Sequence, residues 1–275
     1  MHDRVVDRSA AHAAPALLAV RDRLLVALAF SAGIFEAICF LSFGKVFSGF
    51  QTGNNVFLGV VLSGTRPPVG PQPVTVVVSL AAFAAGAVVA VPILRSFNGD
   101  EEVEDDRVFQ VWPRCVSIAL GVALAAQVSF LAVWITNSPS LNLAYIPISL
   151  NAFAMGLQMN AIRSLHVPGI STTAATATFI SLVSAFVTRS LKKAGARRLT
   201  GVTVAVVAGA ALGDFMLSSA HAYAPLPPVL VTVTVTVIAS IALRQEPAAP
   251  AGSRRLTSPY RPRGAFSNIS PERGA

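Results

Sequence analysis

The 275-residue chain carries too little charge for a soluble globular domain. Hydrophobic residues make up 53% of the sequence, charged residues only 12%, and the net charge is +8. A soluble domain has about twice that charged fraction. No Asp, Glu, Lys or Arg occurs from residue 115 to residue 162, and roughly 20 apolar residues span a bilayer. The composition therefore indicates a polytopic, all-α membrane protein.

In chain order, the first predicted element is a disordered cytoplasmic N-terminus over residues 1–23, where Arg, Asp, His and Ala mix without periodicity. A helical transmembrane domain follows over residues 24–243. A basic tail over residues 244–275, rich in Pro, Ser, Gly and Arg, is predicted to be a second disordered cytoplasmic extension. Within the transmembrane domain, six apolar segments have spanning length: residues 24–43, 74–94, 115–136, 143–162, 199–217 and 228–243.

Two further apolar segments, residues 54–64 and 170–188, either cross the membrane or form re-entrant half-helices. Both begin with small polar residues, and the first is short for a crossing. Positive charge collects in cytoplasmic loops, and six crossings keep Arg95, Arg107 and Arg114 on the cytoplasmic side. Eight crossings would move these three residues outside. We therefore predict six spans and two short or re-entrant helices, with eight spans as the alternative and both termini in the cytoplasm.

The sequence also indicates an internal repeat, with units near residues 24–136 and 142–243. A shift of 124 residues places Glu36 over Asn160 and repeats the order of a span, a Thr-rich segment and a small-residue span. With six crossings the second unit is inverted relative to the first. Inverted repeats with interrupted helices recur in transporters, where half-helix N-termini meet near the midplane. The identities that the shift aligns are Ala37 with Ala161, Leu41 with Leu165, Thr52 with Thr176 and Leu58 with Leu182.

Glu36 is the leading candidate for a functional residue, because it lies in the middle of a predicted span. A carboxylate at membrane depth is costly and usually functional. We predict that it binds a proton or a cation within a solute site, while Arg163 balances charge at the cytoplasmic mouth. The alternative is a structural carboxylate that Gln127, Gln158 or Asn160 satisfies. The other predicted site residues supply hydrogen bonds or close approach: Thr52, Gly53, Asn54, Asn55, Gln158, Asn160 and Thr176.

Familiar catalytic signatures are missing from the sequence. It contains no zinc-protease, nucleophile-elbow, P-loop or Rossmann pattern, and the acidic run over residues 100–106 lacks the Gly-centred spacing of a calcium loop. We therefore expect no enzymatic activity, no metal site and no cofactor. The expected partners are the lipid bilayer and an unidentified small polar solute, without nucleic acid. The sequence leaves a homo-oligomer open.

The chain resembles the YoaK family of uncharacterised bacterial multi-pass membrane proteins. The resemblance rests on the run 32–37 followed by Phe47 and the run 52–54, and on the run 155–158 followed by Arg163 and the segment 171–178. The family usually has Asp at the position of Glu36 and Gly at the position of Ala177. The resemblance implies a helical protein of the bacterial cytoplasmic (inner) membrane and supplies no substrate.

The sequence is compatible with two functions. The first is a secondary transporter or permease for a small polar or anionic solute, in which Glu36 couples its charge state to solute occupancy. The second is a membrane scaffold or accessory subunit without transport activity. In the second case the small-residue faces over residues 81–86 and 205–213 would pack against partner helices.

Overall fold

The computed structural model describes residues 3–64, 71–95, 111–136, 144–167 and 193–243, together with residues 180 and 183. Within these ranges the chain is helical and contains no strand. A short 3-10 turn, His221–Tyr223, precedes the last helix. The helices are α1 (Asp3–Ser42), α2 (Gln51–Leu62), α3 (Pro73–Arg95), α4 (Arg114–Thr136), α5 (Tyr145–Arg163), α6 (Lys193–Ser219) and α7 (Leu226–Ala242).

Five helical stretches in the described part of the chain are long and apolar enough to cross a membrane. Each coincides with a predicted span: Ala16–Ser42, Pro73–Arg95, Arg114–Thr136, Arg197–Ser219 and His221–Ala242. The sixth predicted span corresponds to α5, which is less apolar because it contains Asn151, Gln158 and Asn160. Most residues of α5 are buried, so its polar side chains lie mainly against protein. The described part of the chain is thus all-helical and has the helix lengths and composition of a membrane protein.

The N-terminus differs from the prediction, because α1 begins at Asp3 and includes most of the segment predicted to be disordered. That segment is rich in Ala and Arg, which have high helix propensity. It lacks the continuous apolar character that marked the other helices in the sequence, and the helix start was therefore placed too late. The predicted disordered tail, residues 244–275, and the segment 170–188 lie outside the described residues, apart from residues 180 and 183.

Helices α1 and α6 run parallel, since their contacts advance along both helices together. Near their N-terminal ends, Arg198 of α6 lies 3.4 Å from Asp22 of α1. Farther along, Gly213 of α6 approaches the carbonyl of Ile34. Helices α3 and α5 are also parallel, because Val76 shares a cluster with Ile148 whereas Ala90, farther along α3, shares a cluster with Leu157, farther along α5.

Helix α4 runs parallel to α1 and antiparallel to α5. One apolar cluster contains Leu25 of α1, Val116 of α4 and Ala161 of α5. Helix α7 is antiparallel to α1, because the Ser31 hydroxyl donates to the Pro228 carbonyl at 2.9 Å whereas Leu25 shares its cluster with the other end of α7. A second apolar cluster joins the opposite ends of α1, α4 and α5, through Phe43, Trp134 and Ile148.

The connection between α1 and α3 therefore leaves and returns at the same end of the helix bundle. Helices α1, α4 and α6 point one way, and α3, α5 and α7 point the other way. Helix α2 lies within this connection and has 12 residues, a length of about 18 Å. That is short of the hydrocarbon core, which is about 30 Å thick.

Glycines bring the backbones of each parallel pair into direct contact. A Cβ at Gly33 of α1 would overlap the Val206 carbonyl of α6, and a Cβ at Gly86 of α3 would overlap the Phe153 carbonyl of α5. Such close approach of small residues is typical of packed membrane helices. A shift of 123 residues, one fewer than the sequence alignment used, converts the contacts of one pair into those of the other: Gly33 with Val206 into Gly156 with Phe83, and Gly86 with Phe153 into Gly209 with Phe30.

Candidate functional site

The loop after α1 turns back along the helix that it has just left. Gly44 adopts a φ of 78°, and the Lys45 N–H donates to the Phe40 carbonyl at 3.0 Å. These features end a helix in a left-handed glycine cap. The Phe47 ring then stacks on the Phe40 ring with 4.7 Å between centroids. The next two residues of this return loop, Ser48 and Gly49, consequently reach the level of Glu36.

The Glu36 side chain is only 3% exposed, and the return loop satisfies its carboxylate. The Ser48 N–H donates to Oε2 at 3.1 Å, while the Ser48 hydroxyl and the Gly49 N–H donate to Oε1 at 2.8 Å and 2.5 Å. A Cβ at residue 49 would lie 2.7 Å from Oε1. Glycine at this position therefore allows the backbone N–H to reach the carboxylate.

Asn151 of α5 extends the hydrogen bonds of Glu36 to a second helix. Its Nδ2 donates to Ser48 Oγ at 2.8 Å and approaches Cys39 Sγ at 3.4 Å. Because Ser48 Oγ accepts this bond, its own hydrogen is free to donate to Glu36. Three donors thus point at the carboxylate, an arrangement that suits its ionised form, which is an acceptor only.

Glu36 has no cationic neighbour in the part of the chain that the structure describes. The salt bridges there join Asp22 to Arg21 and to Arg198. The nearest basic residue in the return loop, Lys45, places its Nζ 5.0 Å from the centre of the Phe40 ring. Peptide and hydroxyl groups, rather than an ion pair, therefore hold this buried carboxylate.

The polar run predicted to contribute several solute contacts, residues 52–55, does not act as one group. Asn54 is buried, and its amide accepts from the Phe47 N–H at 3.0 Å and donates to the Phe47 carbonyl at 2.7 Å. Asn54 thus holds the return loop onto α2. Thr52 and Asn55 are exposed. Gly53 is half-buried and leaves space for the Phe47 ring.

The predicted site residues of the second unit are also separated. Gln158 is fully buried, whereas Asn160 is half-buried and donates to the Ala87 carbonyl of α3 at 2.8 Å. Arg163 is exposed at the end of α5. Thr176 lies outside the described residues. Among the described members of this set, only Gln158 lies in the protein interior without a partner.

The sequence analysis did not select Ser48 or Asn151, which are central to this arrangement. Asn151 precedes Gln158 by seven residues, so both lie on one face of α5, and this spacing was a usable signal. Ser48 had no comparable signal, because a serine next to a glycine is common in any loop. The alternative partners proposed for Glu36 were wrong, since no hydrogen bond joins Gln127, Gln158 or Asn160 to the carboxylate in the described residues.

Comparisons with known proteins agree with a membrane protein whose activity is not established. Residues 24–238 match the family model described as "Protein of unknown function (DUF1275)". The chain is 34% identical to the UPF0700 transmembrane protein YoaK of Bacillus subtilis (strain 168) over 165 residues, which cover 60% of this chain and 67% of that protein. No solved structure matches. The chain therefore belongs to the DUF1275 family of transmembrane proteins of unknown function.

Proposed function

We propose that the protein is a permease of the bacterial cytoplasmic membrane, in which Glu36 binds a proton or a cation as a small polar solute crosses. The observation that carries this proposal is the burial of the Glu36 carboxylate without a cationic neighbour in the described residues. A permanently charged structural group is expensive in a membrane interior unless it is paired. A group that binds and releases a positive charge during a transport cycle gives such a residue a use.

The architecture supports the same proposal through two inverted units of three crossings each, residues 24–136 and 142–243. The alternating helix directions fit six crossings, with α2 as a re-entrant half-helix. The contacts of Gly33 with Val206 and of Gly156 with Phe83 are related by the 123-residue shift, which fits an approximate twofold relation between the units. Transporters with this plan place their sites at interrupted helices near the midplane, and α2 begins two residues after Gly49.

The orientation that we propose places both termini in the cytoplasm. With six crossings, Arg95 and Arg114 lie on the same side as Arg21 and Arg23. Cytoplasmic loops collect Lys and Arg. This distribution supports the orientation and therefore an N-terminal end of α1 on the cytoplasmic side.

The scaffold alternative has less support from the packing. It uses the small-residue faces around Gly86 and Gly209 to hold a partner. Both glycines instead pack against backbone carbonyls of the same chain, those of Phe153 and Phe30. Enlarging either residue would disturb the fold itself, so such variants do not test a partner surface.

Flux in proteoliposomes tests the proposal. The purified protein is reconstituted with a pH-sensitive dye inside the vesicles, and pools of small solutes are added outside. We expect solute-dependent proton movement that falls about tenfold or more in Glu36→Gln, because the variant cannot change its charge. Asp214→Asn is the matched control, since Asp214 is an exposed carboxylate on α6. Equal flux in Glu36→Gln and the native protein, or no flux from correctly folded native protein, would contradict the proposal.

A further inference from the structure

Among the residues that the structure describes, three buried amide side chains in the bundle interior have polar atoms without a partner. Both amide atoms of Gln127 and of Gln158 lack a hydrogen bond, as does Oδ1 of Asn151. All three residues have 0% exposure. Buried polar groups in native proteins are nearly always paired, and an unpaired one costs several kcal/mol in a membrane interior, on the order of the transfer cost from water. Something polar is therefore expected beside these amides.

The amides on α5 form a stripe that passes the Glu36 carboxylate. Asn151 and Gln158 are seven residues apart, about two helical turns, and so lie on one face. Met155 lies between them, and its Cγ is 3.4 Å from the Cβ position of residue 49, which itself adjoins Glu36 Oε1. Along the helix axis, Asn151 and Gln158 therefore lie on either side of the Glu36 carboxylate.

Gln127 approaches the same region from α4. It lies one turn before Phe130, whose ring packs edge-on against the Phe35 ring at 5.7 Å between centroids. Phe35 immediately precedes Glu36 in α1. On the other side of Gln127, Ala123 shares an apolar cluster with Leu157, the neighbour of Gln158. Gln127 is thus packed between the levels of Glu36 and Gln158.

The hydrogen-bonding capacity of this group favours a ligand that donates. Asn151 is oriented by its bond to Ser48, so its free atom is an oxygen. Glu36 Oε2 accepts one bond, from the Ser48 N–H, and retains further acceptor capacity. The two Gln amides can turn either their oxygen or their nitrogen towards a ligand. Acceptors and negative charge therefore exceed donors and positive charge.

We propose that Glu36, Gln127, Asn151 and Gln158 form a binding site for a small ammonium-type cation. The N–H groups of such a cation satisfy the amide oxygens, and its charge balances the carboxylate. An anion would meet the carboxylate and would find the nearby loop donors already bound to Glu36. That this cation is the transported solute rests on the proposed permease function, and it replaces the anionic solute that the sequence analysis kept open.

The other ionisable groups near the site do not supply the missing charge. Cys39 on α1 contacts Asn151, and Lys45 lies over the Phe40 ring. Asp214 of α6 is exposed. The described residues of α4, α5 and α7 that pack in the bundle interior are uncharged.

Thermal unfolding of the purified full chain in detergent tests the site. The Tm is measured at rising concentrations of methylammonium chloride and, for comparison, of choline chloride at the same ionic strength. Choline is the control because it has no N–H donor. We expect methylammonium to raise Tm, Glu36→Gln to abolish the rise, and Asn151→Leu or Gln158→Leu to weaken the apparent affinity about tenfold or more. Asn55→Leu, which changes an exposed amide, should respond like the native protein.

The variants also separate loss of binding from loss of folding. Because both amide atoms of Gln158 are unpartnered, Gln158→Leu should keep or raise the Tm without ligand, so a lost response at an unchanged Tm in this variant reports on binding. An equal Tm in methylammonium and in choline would overturn the cation site. A rise in Tm with acetamide or sodium acetate but not with methylammonium would overturn it as well. Binding of methylammonium without flux of any solute would support the cation site and reject the permease. Flux of another solute without methylammonium binding would support the permease and reject the cation site.

Discussion

At the scale of single residues, the structure explains how an apolar span accommodates Glu36. The return loop brings two backbone N–H groups and one hydroxyl to the carboxylate. Hydrogen bonds to a charged group contribute more than neutral ones, roughly 1.5–3 kcal/mol each. The sequence located Glu36 but not these donors, because backbone N–H groups occur at every residue except proline. Only the path of the loop decides which of them reach the carboxylate.

Substituting Gly49 tests the closeness of this contact. We expect Gly49→Ala to lower the free energy of unfolding by about 1–3 kcal/mol, since its Cβ would displace the Glu36 carboxylate from its donors. Chemical or thermal unfolding in detergent measures the change. Gly59→Ala is the matched control, because open space surrounds a Cβ there. If the two variants unfold alike, the loop does not hold Glu36 as described.

At the scale of elements, apolar length predicted the spans well, and polar patterning predicted the half-helix less completely. Five spans were recovered because each is continuously apolar, a property that depends on composition alone. The run 52–55 was interpreted as a binding surface, but only Asn54 faces inward, where it holds the return loop. Propensity cannot distinguish a side chain that binds a solute from one that fastens a loop. The same limit applies to Asn160, which joins α5 to α3.

The parallel helix pairs should be intolerant of side chains at their glycines. We expect Gly86→Ala to destabilise the protein by about 1–3 kcal/mol, as overpacking does, because its Cβ would overlap the Phe153 carbonyl. Gly121→Ala on α4 meets open space and should stabilise by about 0.5–1 kcal/mol, since Ala favours a helix. Unfolding midpoints of the two variants make the comparison. A Gly86→Ala variant as stable as the native protein would rule out this close contact.

At the scale of the whole molecule, charge and hydropathy predicted a six-crossing plan, and the helix directions are consistent with it. The internal repeat stays a prediction, which rests in the sequence on the small-residue spans of the two units. The sequence alignment used a shift of 124 residues, whereas a shift of 123 residues relates the glycine contacts of one parallel pair to those of the other. The backbone contacts of Gly33 and Gly156 specify the shift better, since only particular residues can touch. The cation site was beyond prediction, because it depends on which amides are left unpaired after packing.

We propose that the chain enters the membrane after α1, reaches Glu36 and leaves on the side where it entered. Cysteine labelling in intact bacterial cells with a membrane-impermeant maleimide tests it most directly, in a background without Cys39 and Cys115. Leu62→Cys at the end of α2 and Gln72→Cys before α3 should both react, while Arg95→Cys should react only after permeabilisation. Reaction of Arg95→Cys but not of Leu62→Cys in intact cells would mean that α2 crosses the membrane from a cytoplasmic N-terminus, and would contradict the account.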